Sequence, residues 1–139
     1  MIGLAFAVSI GGCSSGNDGP QIQSSAGLGC VDDSRHCIEQ RQASLRAMMA
    51  DREKRWIREP ASPSAYASGV RLFAFKSRKR DLTCDELAQG RREADAGPAI
   101  LRGPGGAGLT PAQISRGAML SAEVSKELNA EMQQRRCRA

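Results

Sequence analysis

From residue 32 onward the apolar positions recur at intervals of three and four, the spacing that gathers them on one face of an α-helix. The first run opens at "DDS" (32–34), which offers N-cap side chains and places acidic charge at the positive helix end, and Pro60 closes it. Ile38, Leu45, Met48, Met49, Trp56 and Ile57 form its stripe, with Arg, Lys, Glu and Gln between them. The Met pair and the Trp read as core rather than as a cofactor pocket.

"PASPSAYASG" (60–69) interrupts the pattern. Ser62 before Pro63 can cap a second helix carrying Tyr66, Val70 and Phe73, and the β-rich "VRLFAF" (70–75) is the alternative, a short strand. Helix is the preferred reading, because the chain offers no second strand for pairing.

Two later segments share one device. Thr83 stands three residues before Glu86 and Thr110 three before Gln113, both capping boxes, and Leu82 with Leu87 and Leu109 with Ile114 can close hydrophobic staples over them. A third helix is therefore expected from Thr83 toward Ala96, where "GP" (97–98) kinks or ends it and "AILRG" can add a turn. "GPGGAG" (103–108) reads as a flexible connection, and a fourth, longest helix runs from Pro111 to about Arg136 with Ile114, Leu120, Val124 and Leu128 along one side. The fold expected is mostly α, a small bundle of about four helices over residues 31–139.

The N-terminal pattern is different. Residues 2–12, "IGLAFAVSIGG", are uncharged and mostly apolar, too short to cross a ~30 Å hydrocarbon layer but matched to the apolar part of a secretory signal. The Lys or Arg that such signals carry ahead of this part is expected from a start several residues upstream. The run ends at Cys13, and "SSGNDGPQIQSSAG" follows with almost nothing to bury. "IGGC" (10–13) resembles the lipobox of bacterial lipoproteins: a branched apolar residue, two small ones, then cysteine. That resemblance implies a signal segment over 1–12, diacylglyceration of the Cys13 thiol, cleavage before it, and a lipid-anchored tether over 13–30. Ser14, not Asp, after the anchor points by the same resemblance to the outer membrane rather than the inner. Sixteen Gly/Ser-rich residues have a typical end-to-end distance of ~20–25 Å, enough to hold a domain just off the bilayer.

Setting Cys13 aside leaves Cys30, Cys37, Cys84 and Cys137, an even set that suits two disulfides in an oxidising compartment. Three pairings are open. A Cys30–Cys37 bridge would close a short loop onto the first helix and leave Cys84 to join Cys137, a long loop worth ~4 kcal/mol on the chain-entropy estimate. Such staples matter because only five of 139 residues are aromatic, one of them Phe6 in the signal-like run.

Composition adds a formal charge of +5, most of it from arginine, and so a mild attraction for anions. Lys76, Arg78, Lys79 and Arg80 in "KSRKR" form the one run with a binding character, suited to lipid phosphates or an acidic partner, or simply to a solvated helix end. His36 beside Cys37 could serve a thiolate nucleophile, and Cys30, His36, Cys37 and Cys84 could surround zinc, but no paired C-x-x-C spacing is present and disulfides account for the cysteines. "GPGGAG" lacks the Lys and Ser/Thr of a phosphate-binding loop. No catalytic, cofactor or metal residues are nominated. The expectation is a non-enzymatic envelope protein, anchored by lipid and facing the periplasm, with a structural or protein-interaction role and an envelope protein as partner. The alternative is an intracellular basic helical protein binding nucleic acid or an acidic partner; the export signal argues against nucleic acid. A secreted enzyme or inhibitor is a third class.

Overall fold

The computed structural model describes residues 29–138, and Cys13 with the signal-like segment and nearly all of the tether lie outside the described residues. Five α-helices follow in order: α1 (Arg35–Ala50), α2 (Pro63–Ser68), α3 (Val70–Arg78), α4 (Cys84–Arg102) and α5 (Pro111–Gln134). Three 3-10 turns join them, Arg55–Ile57, Lys79–Asp81 and Pro104–Gly106, and the described residues contain no strand. The expected mostly helical, disulfide-braced bundle is thus the fold observed.

Ser34 caps α1, its Oγ accepting the Cys37 N–H at 3.2 Å. The helix ends at Ala50, ten residues short of the stop expected at Pro60. Asp51 is the cause: its carboxylate accepts the N–H groups of Glu53 (3.1 Å) and Arg55 (2.8 Å), offering the backbone a turn in place of further helix. Lys54 adopts a left-handed conformation (φ 51°), and the turn at Arg55–Ile57 then buries Trp56 and Ile57. The apolar stripe continues although the helix does not.

Ser62 caps α2 as expected, accepting the Ala65 N–H at 3.3 Å. The anticipated second helix is divided by Gly69, which at φ 72° ends α2 and starts α3. Only glycine suits this position, since a Cβ there would also lie 2.4 Å from Leu120 Cδ2. Val70–Arg78 is helical, so the strand alternative for 70–75 does not hold.

Both capping boxes form. Thr83 and Glu86 exchange bonds at 3.2 and 2.8 Å, and Thr110 and Gln113 at 3.2 and 2.9 Å. Helix α4 continues through Pro98 to Arg102. It runs antiparallel along α5, as the pairs Asp95–Ser125, Arg91–Asn129 and Leu82–Arg135 show, and this is the most extensive packing in the molecule. Gly97 permits the close approach, because a Cβ there would meet Ser121 Oγ at 2.3 Å.

The core lies between α3, α4 and α5, with Leu72, Phe75, Leu82, Leu87, Leu101, Val124 and Leu128 essentially sealed from solvent. Trp56 packs edge-on to Phe75 with ring centroids 4.8 Å apart. Two bridges brace this core. Cys30–Cys37 fastens the incoming chain to the first turn of α1, and Cys84–Cys137 joins the start of α4 to the residues just past α5.

Candidate functional site

The four cysteines of the described region are all consumed by these two bridges, which excludes a Cys37 thiolate in this state. Cys37 is 4 % exposed, whereas the neighbouring His36 is exposed and bonds Gln40 at 2.9 Å one helical turn on. Among the described residues no three His, Cys, Asp or Glu side chains converge as metal ligands. "GPGGAG" forms a 3-10 turn with Gly106 buried, the Gly106 N–H bonding the Gly103 carbonyl at 3.0 Å. Gly106 packs against the Leu101 backbone and Gly105 against Pro63.

The basic run is largely absorbed by the fold. Lys76 pairs with Glu123, and Lys79 lies 2.5 Å from Glu127, so two of the four cations tie α3 and the turn after it to α5. The Glu123 hydrogen bond holds the Lys76 ammonium above its ordinary pKa, and Lys79 holds the Glu127 carboxyl below its own. Arg78 donates to the carbonyls of Met48 (3.2 Å) and Asp51 (2.6 Å), satisfying the end of α1. Arg80 faces solvent. The structure therefore does not present these residues as four free cations.

One polar constellation was not visible as a candidate in the sequence. Arg71 and Glu93, only 2 % and 7 % exposed, form a forked pair at 2.5 Å (Nε to Oε1) and 3.0 Å (Nη2 to Oε2). Arg71 also donates to the carbonyls of Trp56 and, at 3.2 Å, Ile57, and its guanidinium lies 5.8 Å from the Trp56 ring centre. Burial pushes the Glu93 carboxyl up, against the downward pull of Arg71. Tyr66 is likewise raised, by burial first and then by the charge of Glu93. The pair satisfies a turn whose carbonyls lack helical partners. Its sequence signal was a charge inside an apolar face: Arg71 stands three and four residues before Ala74 and Phe75, and Glu93 three and four from Gly90 and Gly97.

Among the open grooves of the described residues are two of similar size. One of about 450 Å³ is apolar, lined by Ala61, Pro63, Tyr66, Ile100 and Pro104. The other, about 520 Å³, runs between α4 and α5 past Arg91, Asp95, Pro98, Ser125, Lys126 and Asn129. In the second, Ser125 Oγ donates to Asp95 Oδ1 at 2.5 Å, and neither groove is lined by a histidine. Among the described residues no helix is long and apolar enough to cross a membrane. No protein-family model, curated protein or solved structure matches the chain.

Proposed function

We propose that this chain is a lipid-anchored bacterial envelope protein in which an acylated Cys13 and a Gly/Ser-rich tether hold a disulfide-braced helical domain near a bilayer, and that the domain acts by binding, without catalysis. One observation carries the reading. The four cysteines of the described domain pair completely with one another, so the single cysteine left over is Cys13, at the lipobox-like "IGGC". Two structural bridges suit a compartment outside the cytosol, where disulfides persist. Cys30–Cys37 lies where the tether meets the domain, so tension on the anchor would be taken up by a covalent clasp rather than by the end of α1. Ser14 after the anchor favours the outer membrane as the site of attachment.

Mass analysis of the native protein tests this. The expected product begins at Cys13, carries acyl chains and lacks four hydrogens relative to its fully reduced form, and Cys13→Ser moves the protein from the membrane to the soluble fraction. A native chain that keeps residues 1–12, bears no fatty acid and has free thiols overturns the proposal and favours an intracellular basic binding protein.

A further inference from the structure

Helices α1, α3 and α5 run in the same direction, side by side. Arg41 of α1, Gly69 at the head of α3 and Leu120 of α5 line one small pocket; further along, Arg78 reaches the Met48 carbonyl of α1, and Lys76 and Lys79 pair with Glu123 and Glu127 of α5. Helix α4 packs behind α3 and α5, so this layer has an outer face. Phe73 and Met119 mark it: each stands about one turn before a member of the Lys76–Glu123 pair and points away from the core. On α1 the buried Cys37, Ser44 and Met48 turn inward. Ile38, Leu45 and Met49 follow each of them by one position, 100° around the helix, and so line the flank that opens outward beside Phe73, while the opposite flank at Gln40, Ala43 and Ala47 is half-buried.

Ile38, Met49 and Phe73 belong to stripes expected to be core, yet they stay outside it. With Met119 they are all the exposed large apolar side chains among the described residues, between 39 % and 70 % exposed, and all four share this face. At roughly 200 Å² per side chain they present about 400 Å² of apolar surface, the size at which a patch marks an interaction face. The charges beside them are uneven. Glu39 and Glu123 are already paired with Arg35 and Lys76, Asp33 with Arg116, and Glu53 with Arg55. Arg46 on α1, Lys126 two turns after Met119, and Arg80 in the turn after α3 are exposed and hold no carboxylate, and the exposed Asp81 offsets one of them. Unpaired cations also lie at Arg102, Arg136 and Arg138, so charge alone does not single out this face. Its conjunction with the apolar side chains does.

We propose that the outer face of α1, α3 and α5 seats the domain on a phospholipid bilayer with anionic headgroups. Phe73, Met119, Ile38 and Met49 enter the boundary between headgroups and acyl chains, and Arg46, Arg80 and Lys126 meet lipid phosphates. A second copy laid on this face would bring the unpaired cations of both chains to one seam, where the helices' exposed carboxylates are already engaged. A partner protein needs a groove or ridge of matching shape, whereas these side chains project singly, with Gln42 and Ser77 exposed among them. A bilayer boundary takes separate side chains without such a match. The contact needs no acyl chain, so it stands apart from the Cys13 anchor, which would only raise the local concentration of lipid.

The full chain carrying Cys13→Ser is mixed with vesicles of phosphatidylglycerol and phosphatidylcholine in equal parts, or of phosphatidylcholine alone, and pelleted. Phe73→Gln with Met119→Gln should weaken binding at least about tenfold through the apolar area withdrawn. Arg46→Gln with Arg80→Gln and Lys126→Gln should bring the mixed vesicles within about threefold of phosphatidylcholine alone. Residues 1–12 are common to every variant and cannot produce these differences. Insertion is read directly from added tryptophans: emission from Met119→Trp should shift to the blue on mixed vesicles and be quenched by brominated acyl chains, and that from Ala96→Trp, exposed on α4 behind the layer, should do neither. Circular dichroism matching the parent shows that each variant is folded. No binding, an apolar double variant that binds like the parent, or equal quenching at the two tryptophan positions overturns the proposal. A parent that is dimeric by light scattering, made monomeric by Phe73→Gln with Met119→Gln and never quenched, gives the face to a second copy and overturns it as well. Acylation of Cys13 is read separately, by mass of the native protein, and either result there leaves these outcomes standing.

Discussion

Removing the Cys84–Cys137 bridge should destabilise the domain substantially more than removing Cys30–Cys37. A crosslink acts chiefly by restricting the unfolded chain, and its effect grows with the logarithm of the loop it closes. The two bridges span 53 and 7 residues. On the chain-entropy relation these correspond to about 4.1 and about 2.4 kcal/mol at room temperature. Small domains are stable by only ~5–15 kcal/mol, so the larger loss is a severe one. The short loop also keeps other restraints when its bridge is cut, since Arg41 still donates to the carbonyls of Cys30 (3.0 Å) and Asp32 (2.6 Å). The assay is urea unfolding followed by circular dichroism, comparing Cys84→Ala with Cys137→Ala against Cys30→Ala with Cys37→Ala, all carrying Cys13→Ser. With a slope of roughly 1.5 kcal/mol per molar urea, the midpoints should fall by about 2.7 and about 1.6 M. Equal or reversed shifts would refute the reasoning and place the bridges' effect in the native state.

Two further outcomes are expected. Glu93→Ala leaves the Arg71 guanidinium buried without its carboxylate and should cost ~3–5 kcal/mol, whereas Arg71→Met with Glu93→Leu should recover most of that; unfolding of both variants at one urea series checks it, and a double variant as weak as the single one contradicts it. Acid should weaken the fold through Glu86 and Glu127. Burial raises the Glu86 carboxyl, but Lys54 and the Thr83 N–H outweigh it and hold the group below its ordinary value of 4.5; Lys79 does the same for Glu127. With the folded values depressed, the unfolded chain takes up protons first, so this stability is present above about 4.5 and is lost as pH falls below it. Glu93, raised by burial, works in the opposite sense. Melting temperatures from pH 7 to 3 should show the fall in the parent and a shallower one in Lys54→Met with Lys79→Met.

Local chemistry was what the sequence disclosed well. The capping boxes at Thr83 and Thr110 and the Ser62 cap lie within four residues of their partners, so pattern alone locates them. The early stop of α1 depended on Asp51, a residue whose short carboxylate can turn inward or outward; nothing in the stripe of Met48, Met49, Trp56 and Ile57 distinguishes the two. Gly69 was read only as part of a breaking segment, because its second constraint, Leu120, is fifty-one residues away. The same limit applied to the candidate site. "KSRKR" is contiguous and visible, but Glu123 and Glu127, which neutralise Lys76 and Lys79, lie 47 and 48 residues on.

The internal use of charge explains why the one contiguous basic run is largely occupied by the fold. With few aromatic side chains, the interior accepts Ser44, Ser121, Arg71 and Glu93 beside its leucines. Arg71 then joins the Arg55–Ile57 turn, α3 and α4 at a single guanidinium, which fixes their register where apolar contacts alone would let them slide. On the outer faces, Lys54, Lys76 and Lys79 each bind a carboxylate of a different element, and Arg78 finishes α1. Cations spent in this way cannot also hold an external anion without releasing the fold. Arg46, Arg52, Arg80, Arg102, Lys126, Arg136 and Arg138 are exposed and carry no such duty, so the remaining positive charge is spread over the surface.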